Sequence, residues 1–121
     1  MTADLAVIGL GYVGLPLAQE AVRAGMKVIG FDIHPGVVDG LNSGTSHVDD
    51  LSDADIAEMV EGGFRATTDP DELASVETIV ICVPTPLAED GGPDLGPVKA
   101  AVATIAERLR SGMLVILEST T

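Results

Sequence analysis

An α/β domain built on a doubly wound parallel sheet of about five strands is what three features of the sequence predict. Five strand-like runs alternate with helical patterns along the chain. The first run, Leu5-Ala6-Val7-Ile8, passes straight into Gly9-Leu10-Gly11-Tyr12-Val13-Gly14, a Gly-x-Gly-x-x-Gly turn that opens a helix. The second run, Lys27 to Phe31, ends in Asp32, eighteen residues beyond Gly14. Strand, glycine turn, helix, strand and terminal acid in this order are the layout of a Rossmann-type dinucleotide-binding domain.

Each residue type in that layout has a physical reason. Gly9 can adopt backbone angles that a Cβ resists, so the strand can turn sharply. Gly11 removes the side chain where backbone must approach a pyrophosphate, and Gly14 lets the new helix lie close to the strand it left. The helix start then aims unpaired N–H groups and its positive dipole end at phosphate. Asp32 is expected to accept hydrogen bonds from the ribose hydroxyls of the adenosine half. Its charge repels a 2′-phosphate, so the cofactor expected is NAD rather than NADP.

The remaining elements follow in order. Leu15 to Ala24 reads as the first helix, with Leu17, Ala18, Ala21 and Val22 on one face, Pro16 in its first turn and Gly25 as its C-terminal cap. After the second strand, Pro35 to Asn42 reads as a short helix weakened by Gly36 and Gly40. Ser52 with Asp55 opens a third helix through Val60, closed by Gly62 and Gly63. Phe64 to Thr67 is a short edge strand, Asp69 to Leu73 a helical turn, and the uncharged Thr78 to Val83 a buried strand. Pro84 to Pro97 is irregular, with Asp94 placed to cap a helix whose apolar stripe is Val98, Val102, Ile105, Ala106 and Leu109. Met113 to Leu117 is the last strand. The expected sheet order is 3-2-1-4-5, with the ligand crevice at the carboxyl ends of strands one and four.

Composition narrows the function classes. Acidic residues outnumber basic ones 19 to 6, a formal net charge of −13. Nothing in that balance neutralises a run of phosphates, so nucleic acid is not an expected partner. An anionic cofactor remains compatible, because a glycine turn binds through backbone dipoles. The acid surplus fits either a salt-rich host or a solubilising surface. Aromatics are 2% of the residues and apolar residues 46%, so the core is expected to be Val, Ile, Leu and Ala, as in buried parallel strands. No apolar run approaches the ~20 residues of a membrane helix, and the start Met1-Thr2-Ala3-Asp4 lacks the basic beginning of a signal peptide. The single cysteine, Cys82, agrees with a reducing cytoplasm.

Three strand ends carry more than the glycine turn. Val7-Ile8-Gly9-Leu10-Gly11-Tyr12-Val13-Gly14-Leu15-Pro16-Leu17-Ala18, then Cys82-Val83-Pro84-Thr85-Pro86-Leu87, then Glu118-Ser119-Thr120-Thr121 resemble the N-terminal domain of the nucleotide-sugar 6-dehydrogenases. These are the UDP-glucose, GDP-mannose and UDP-N-acetylmannosamine enzymes. The resemblance covers essentially the whole chain, and Leu41 to His47 is similar to the N-acetylhexosamine branch. It implies that residues 1–121 are the NAD-binding domain of a longer enzyme, whose substrate and dimerisation domains lie elsewhere. Such an enzyme oxidises the C6 alcohol of a nucleotide sugar, here a UDP-sugar, to a carboxylate with two NAD, for polysaccharide precursors. It does so through an aldehyde, a cysteine adduct and a thioester, and is a homodimer or larger assembly. The domain alone is expected to bind NAD without turnover.

The resemblance also implies residue roles. Tyr12 and Val13 contact the cofactor at the turn, Asp32 holds the ribose, and Thr85 lies near the nicotinamide half. Thr120 is the catalytic candidate, its hydroxyl beside the nicotinamide and helping to place a water. Some members carry a basic residue five positions after the ribose acid, where this chain has Val37. That departure bears on an adenosine-side contact and not on the preference for NAD. Cys82 lies in an apolar strand and reads as an inert core thiol; the family's catalytic cysteine belongs to a later glycine-rich motif. His34 and His47 are single loop histidines without metal-ligand partners, read as structural or solvent-facing, and no metal site is expected. Two other readings stay open: an NAD-sensing regulatory module, and the NAD domain of a 6-phosphogluconate or hydroxyacid dehydrogenase. The regulatory module gives no reason for Val-Pro-Thr-Pro and Glu-Ser-Thr at two further strand ends.

Overall fold

The computed structural model describes residues 3–83, 89–92, 94–109 and 111–118. Strands β1 (Leu5–Ile8), β2 (Val28–Phe31), β3 (Arg65–Thr67), β4 (Thr78–Ile81) and β5 (Leu114–Leu117) pair in parallel in the order β3-β2-β1-β4-β5, as the sequence predicts. Among the described residues they are joined by helices α1 (Gly14–Arg23), α2 (Pro35–Asn42), α3 (Asp53–Glu61) and α4 (Gly96–Ala106), and by a 3₁₀ turn at Pro70–Ser75. β1 is central: Leu5 stands in register with Val28 on one side and Thr78 on the other.

Side-chain alternation splits the core into two layers. On one face Leu5, Val7, Val28 and Val80 meet Leu15 and Ala18 of α1, Leu41 of α2, and Ile56 and Met59 of α3. On the other, Ala6, Ile8, Ile29, Ile79 and Ile81 meet Leu73, Val76, and Ala101 and Ile105 of α4. Aliphatic strands buried on both faces are what helices covering a parallel sheet require.

Local chemistry sets the boundaries. Ser52 Oγ accepts from the Asp55 N–H at 3.2 Å, and Asp55 Oδ2 accepts from the Ser52 N–H at 2.9 Å, closing the predicted capping box of α3. Asn42 ties the end of α2 to β3 through a reciprocal pair with the Ala66 main chain, 2.9 Å each way. Three expectations change. β4 ends at Ile81 rather than Val83, although the Cys82 N–H still donates to the Ile8 carbonyl at 2.7 Å. On α4, Ala101 and Ile105 are buried while Val102 is 50% exposed, and Leu109, expected on the same stripe, lies beyond the helix end and is 55% exposed. The small Ala101 lets the helix lie close to the sheet, and a helix apolar nearly all round gives the sequence pattern no stripe to choose. Asp94 bridges to the Gly96 N–H at 2.9 Å, but Leu95 is the residue that caps α4.

Candidate dinucleotide-binding site

At the carboxyl end of β1 the chain turns at Gly9 with φ +92°, and a Cβ there would lie 2.9 Å from the Cys82 carbonyl oxygen. A Cβ on Gly14 would lie 1.8 Å from the Gly9 carbonyl oxygen. Both glycines are therefore demanded by the chain's own packing. Gly11 differs, since a Cβ there would meet nothing within 4 Å among the described residues. The motif divides into two positions that shape the turn and one that leaves space in front of it.

The turn feeds α1 without an ordinary cap. Val13 is the N-cap residue, no side chain caps the helix, and its first turn holds no acid, whereas the first turn of α3 holds Asp53 and Asp55. In so acidic a chain, this start is left clear for an anion, which its N–H groups and dipole favour. Tyr12 projects from the turn, 65% exposed; Val13 packs partly against the core layer beside α1.

Asp32 follows the end of β2, its side chain 13% exposed. Its Oδ2 accepts from the Leu10 N–H at 3.1 Å. Its Oδ1 accepts from the His34 N–H at 3.0 Å and lies 2.8 Å from His34 Nδ1. Oδ2, with one donor, keeps a second lone-pair direction, and Oδ1 gains one for a diol when the exposed His34 ring turns away. The ribose acid of the sequence thus also anchors the glycine turn.

These residues line a groove of about 410 Å³ that includes Gly9, Gly11, Tyr12, Val13, Asp32 and His47. It shares Gly9, Asp32, His34 and Val83 with an adjoining apolar pocket of about 300 Å³ formed with Phe31, Ile33 and Ala101. A groove over a helix start, joined across a carboxylate to a second, apolar pocket, fits the pyrophosphate and the aromatic parts of a dinucleotide. Among the described residues no Lys or Arg lines either. His34 and His47, read from the sequence as structural or solvent-facing, both stand at the groove. Val37 lines it too.

Cys82 is buried just past β4. Burial, and then the neighbouring Glu118 carboxylate, push its thiol from 9.0 up to about 11, which suits an inert thiol and not a nucleophile. Thr85 and Thr120 lie outside the described residues.

Sheet order, glycine turn and carboxylate define a dinucleotide-binding α/β domain of the Rossmann class. Residues 3–121 match the model of the UDP-glucose/GDP-mannose dehydrogenase family, NAD binding domain, and the chain belongs to that family. It is similar to UDP-N-acetyl-D-mannosamine dehydrogenase of Salmonella typhi, 46% identical over 118 residues, covering 96% of this chain and 27% of that protein. Among solved structures, UDP-D-ManNAc dehydrogenase from Pyrococcus horikoshii superposes with a TM-score of 0.90 at 39% identity, over 97% of this chain and 28% of that one. A ternary complex of GDP-mannose dehydrogenase from Pseudomonas aeruginosa gives 0.89 at 29% identity, over 98% of this chain and 28% of that one. The chain thus spans little more than a quarter of the length of these relatives.

Proposed function

We propose that this chain is the NAD-binding part of a cytoplasmic enzyme that oxidises the C6 hydroxyl of a UDP-sugar, of the N-acetylmannosamine type, to a carboxylate, and that the whole enzyme is a homodimer or larger assembly. The observation that carries the reading is the open space in front of Gly11 at the uncapped, acid-free start of α1, one carboxylate away from an apolar pocket. The similarity to UDP-N-acetyl-D-mannosamine dehydrogenases supports the choice of sugar.

In this reading Gly9 and Gly14 shape the turn, Gly11 admits the pyrophosphate, and the main chain at Tyr12 and Val13 binds it. Asp32 accepts the ribose hydroxyls, and Phe31, Ile33 and Ala101 flank the adenine. Thr85 and Thr120 belong to the nicotinamide side, with Thr120 orienting a water. NAD, when bound, supplies the hydride acceptor. Cys82 stays a neutral thiol throughout.

In the whole enzyme, UDP-N-acetylmannosamine with NAD should yield two NADH per sugar. Thr120→Ala should slow turnover by about 10- to 1,000-fold, the range for one group that places water or developing charge, and Thr120→Ser should recover much of it. Absence of NADH formation with any nucleotide sugar contradicts the reading; equal rates for the two variants remove the Thr120 role alone.

A further inference from the structure

We propose that His47 is a positioning residue of the dinucleotide site, its imidazole holding the peptide plane between Leu10 and Gly11 that leads into the Tyr12 and Val13 main chain, where the pyrophosphate is received. The inference rests on the NAD-site reading above.

His47 stands in the loop between α2 and α3, and its Nε2 hydrogen-bonds the Leu10 carbonyl oxygen 37 residues away. A carbonyl oxygen only accepts, so Nε2 carries the proton, which fixes the tautomer of a neutral ring. The other main-chain polar group of Leu10, its N–H, donates to Asp32 Oδ2 at 3.1 Å. The Leu10 side chain is 1% exposed and packs where Gly30 lacks a Cβ; one there would come within 2.7 Å of Leu10 Cδ2. Leu10 is therefore held at three points: below by the core, at its N–H by Asp32 and at its carbonyl by His47.

The third hold matters for an anion. In a trans peptide the carbonyl of Leu10 and the N–H of Gly11 lie antiparallel in one plane, and there is no cis peptide bond among the described residues. Fixing one direction fixes the other. Among the described residues the groove has no Lys or Arg to attract phosphate whatever its orientation. Binding must then come from N–H groups, whose strength falls steeply with misalignment. A side chain that sets such a plane acts on affinity for the pyrophosphate without acting on the adenine pocket, whose lining does not include His47.

The test is titration of NAD, ADP-ribose and adenosine into wild type, His47→Ala and His47→Gln, with thermal midpoints recorded. His47→Ala should weaken NAD and ADP-ribose by the same factor, about five- to tenfold, the scale of one hydrogen bond, and leave adenosine unchanged. His47→Gln, whose amide N–H₂ reaches about as far as Nε2, should recover most of the loss. Unchanged NAD affinity in His47→Ala overturns the inference and leaves the NAD site standing. An equal loss for adenosine also overturns it, since His47 would then only hold the fold. Failure of wild type to bind NAD overturns both.

Discussion

Gly9, Gly11 and Gly14 are the same residue in three different situations, and only coordinates separate them. Gly9 has a positive φ, Gly14 touches the Gly9 carbonyl, and Gly11 faces open space. Sequence reading identified the motif and Asp32 because spacing along the chain carries them. It did not bring His34 and His47 to the groove, since a single loop histidine has no spacing signature and reaches the site through tertiary placement. Cys82 was legible as a core thiol from its apolar neighbours. Its raised pKa has a consequence for stability. Between 9.0 and about 11 the unfolded chain gives up the thiol proton before the folded chain does, so folding stability falls as pH rises through that window. The unfolding free energy of wild type should drop more steeply there than that of Cys82→Ser, by no more than about 2.7 kcal/mol across the window. Parallel curves contradict the assigned environment.

Among the elements, α1 and α3 show two ways of starting a helix. α3 satisfies its first N–H groups with its own Ser52 and Asp55, and those hydrogen bonds hold the Asp55 carboxyl below its ordinary value of 3.8. α1 satisfies none with a side chain, which leaves its start for a ligand. Ser52→Ala should lower stability by about 1 kcal/mol, measured by denaturant unfolding near neutral pH. The depressed Asp55 pKa, held down first by the Ser52 backbone N–H, stabilises the fold above 3.8, and this is lost as pH falls through the folded value, so the stability gap between Asp55→Ala and wild type should narrow in acid. A gap that stays constant with pH contradicts the capping box. The element types were legible from periodicity, capping residues and glycine stops. The buried side of α4 was not, because Ala and Val surround that helix and tertiary packing makes the choice. Nor does the apolar run of β5 report burial: Leu114 and Leu117 are both 56% exposed on a strand that, among the described residues, pairs only with β4.

For the whole molecule, the order β3-β2-β1-β4-β5 puts the strand ends of β1 and β4 at the crevice where the connections diverge to opposite faces. That position was legible because parallel pairing with helical crossovers leaves few alternatives. The net charge of −13 makes the proposed device at the crevice the more informative, since the proposal has main-chain dipoles receive an anion in a groove that no Lys or Arg lines among the described residues. Gly11 is the position where this can be tested without disturbing the protein, since its φ is ordinary and its surroundings are open. The measurement is calorimetric titration of NAD into wild type and Gly11→Val, with circular dichroism and thermal midpoints of both. We predict the same fold and a midpoint within a few degrees for the two proteins, NAD binding by wild type, and at least about a hundredfold weaker binding by Gly11→Val, as valine fills the space the pyrophosphate needs. A folded Gly11→Val protein that binds NAD as wild type does would contradict the account.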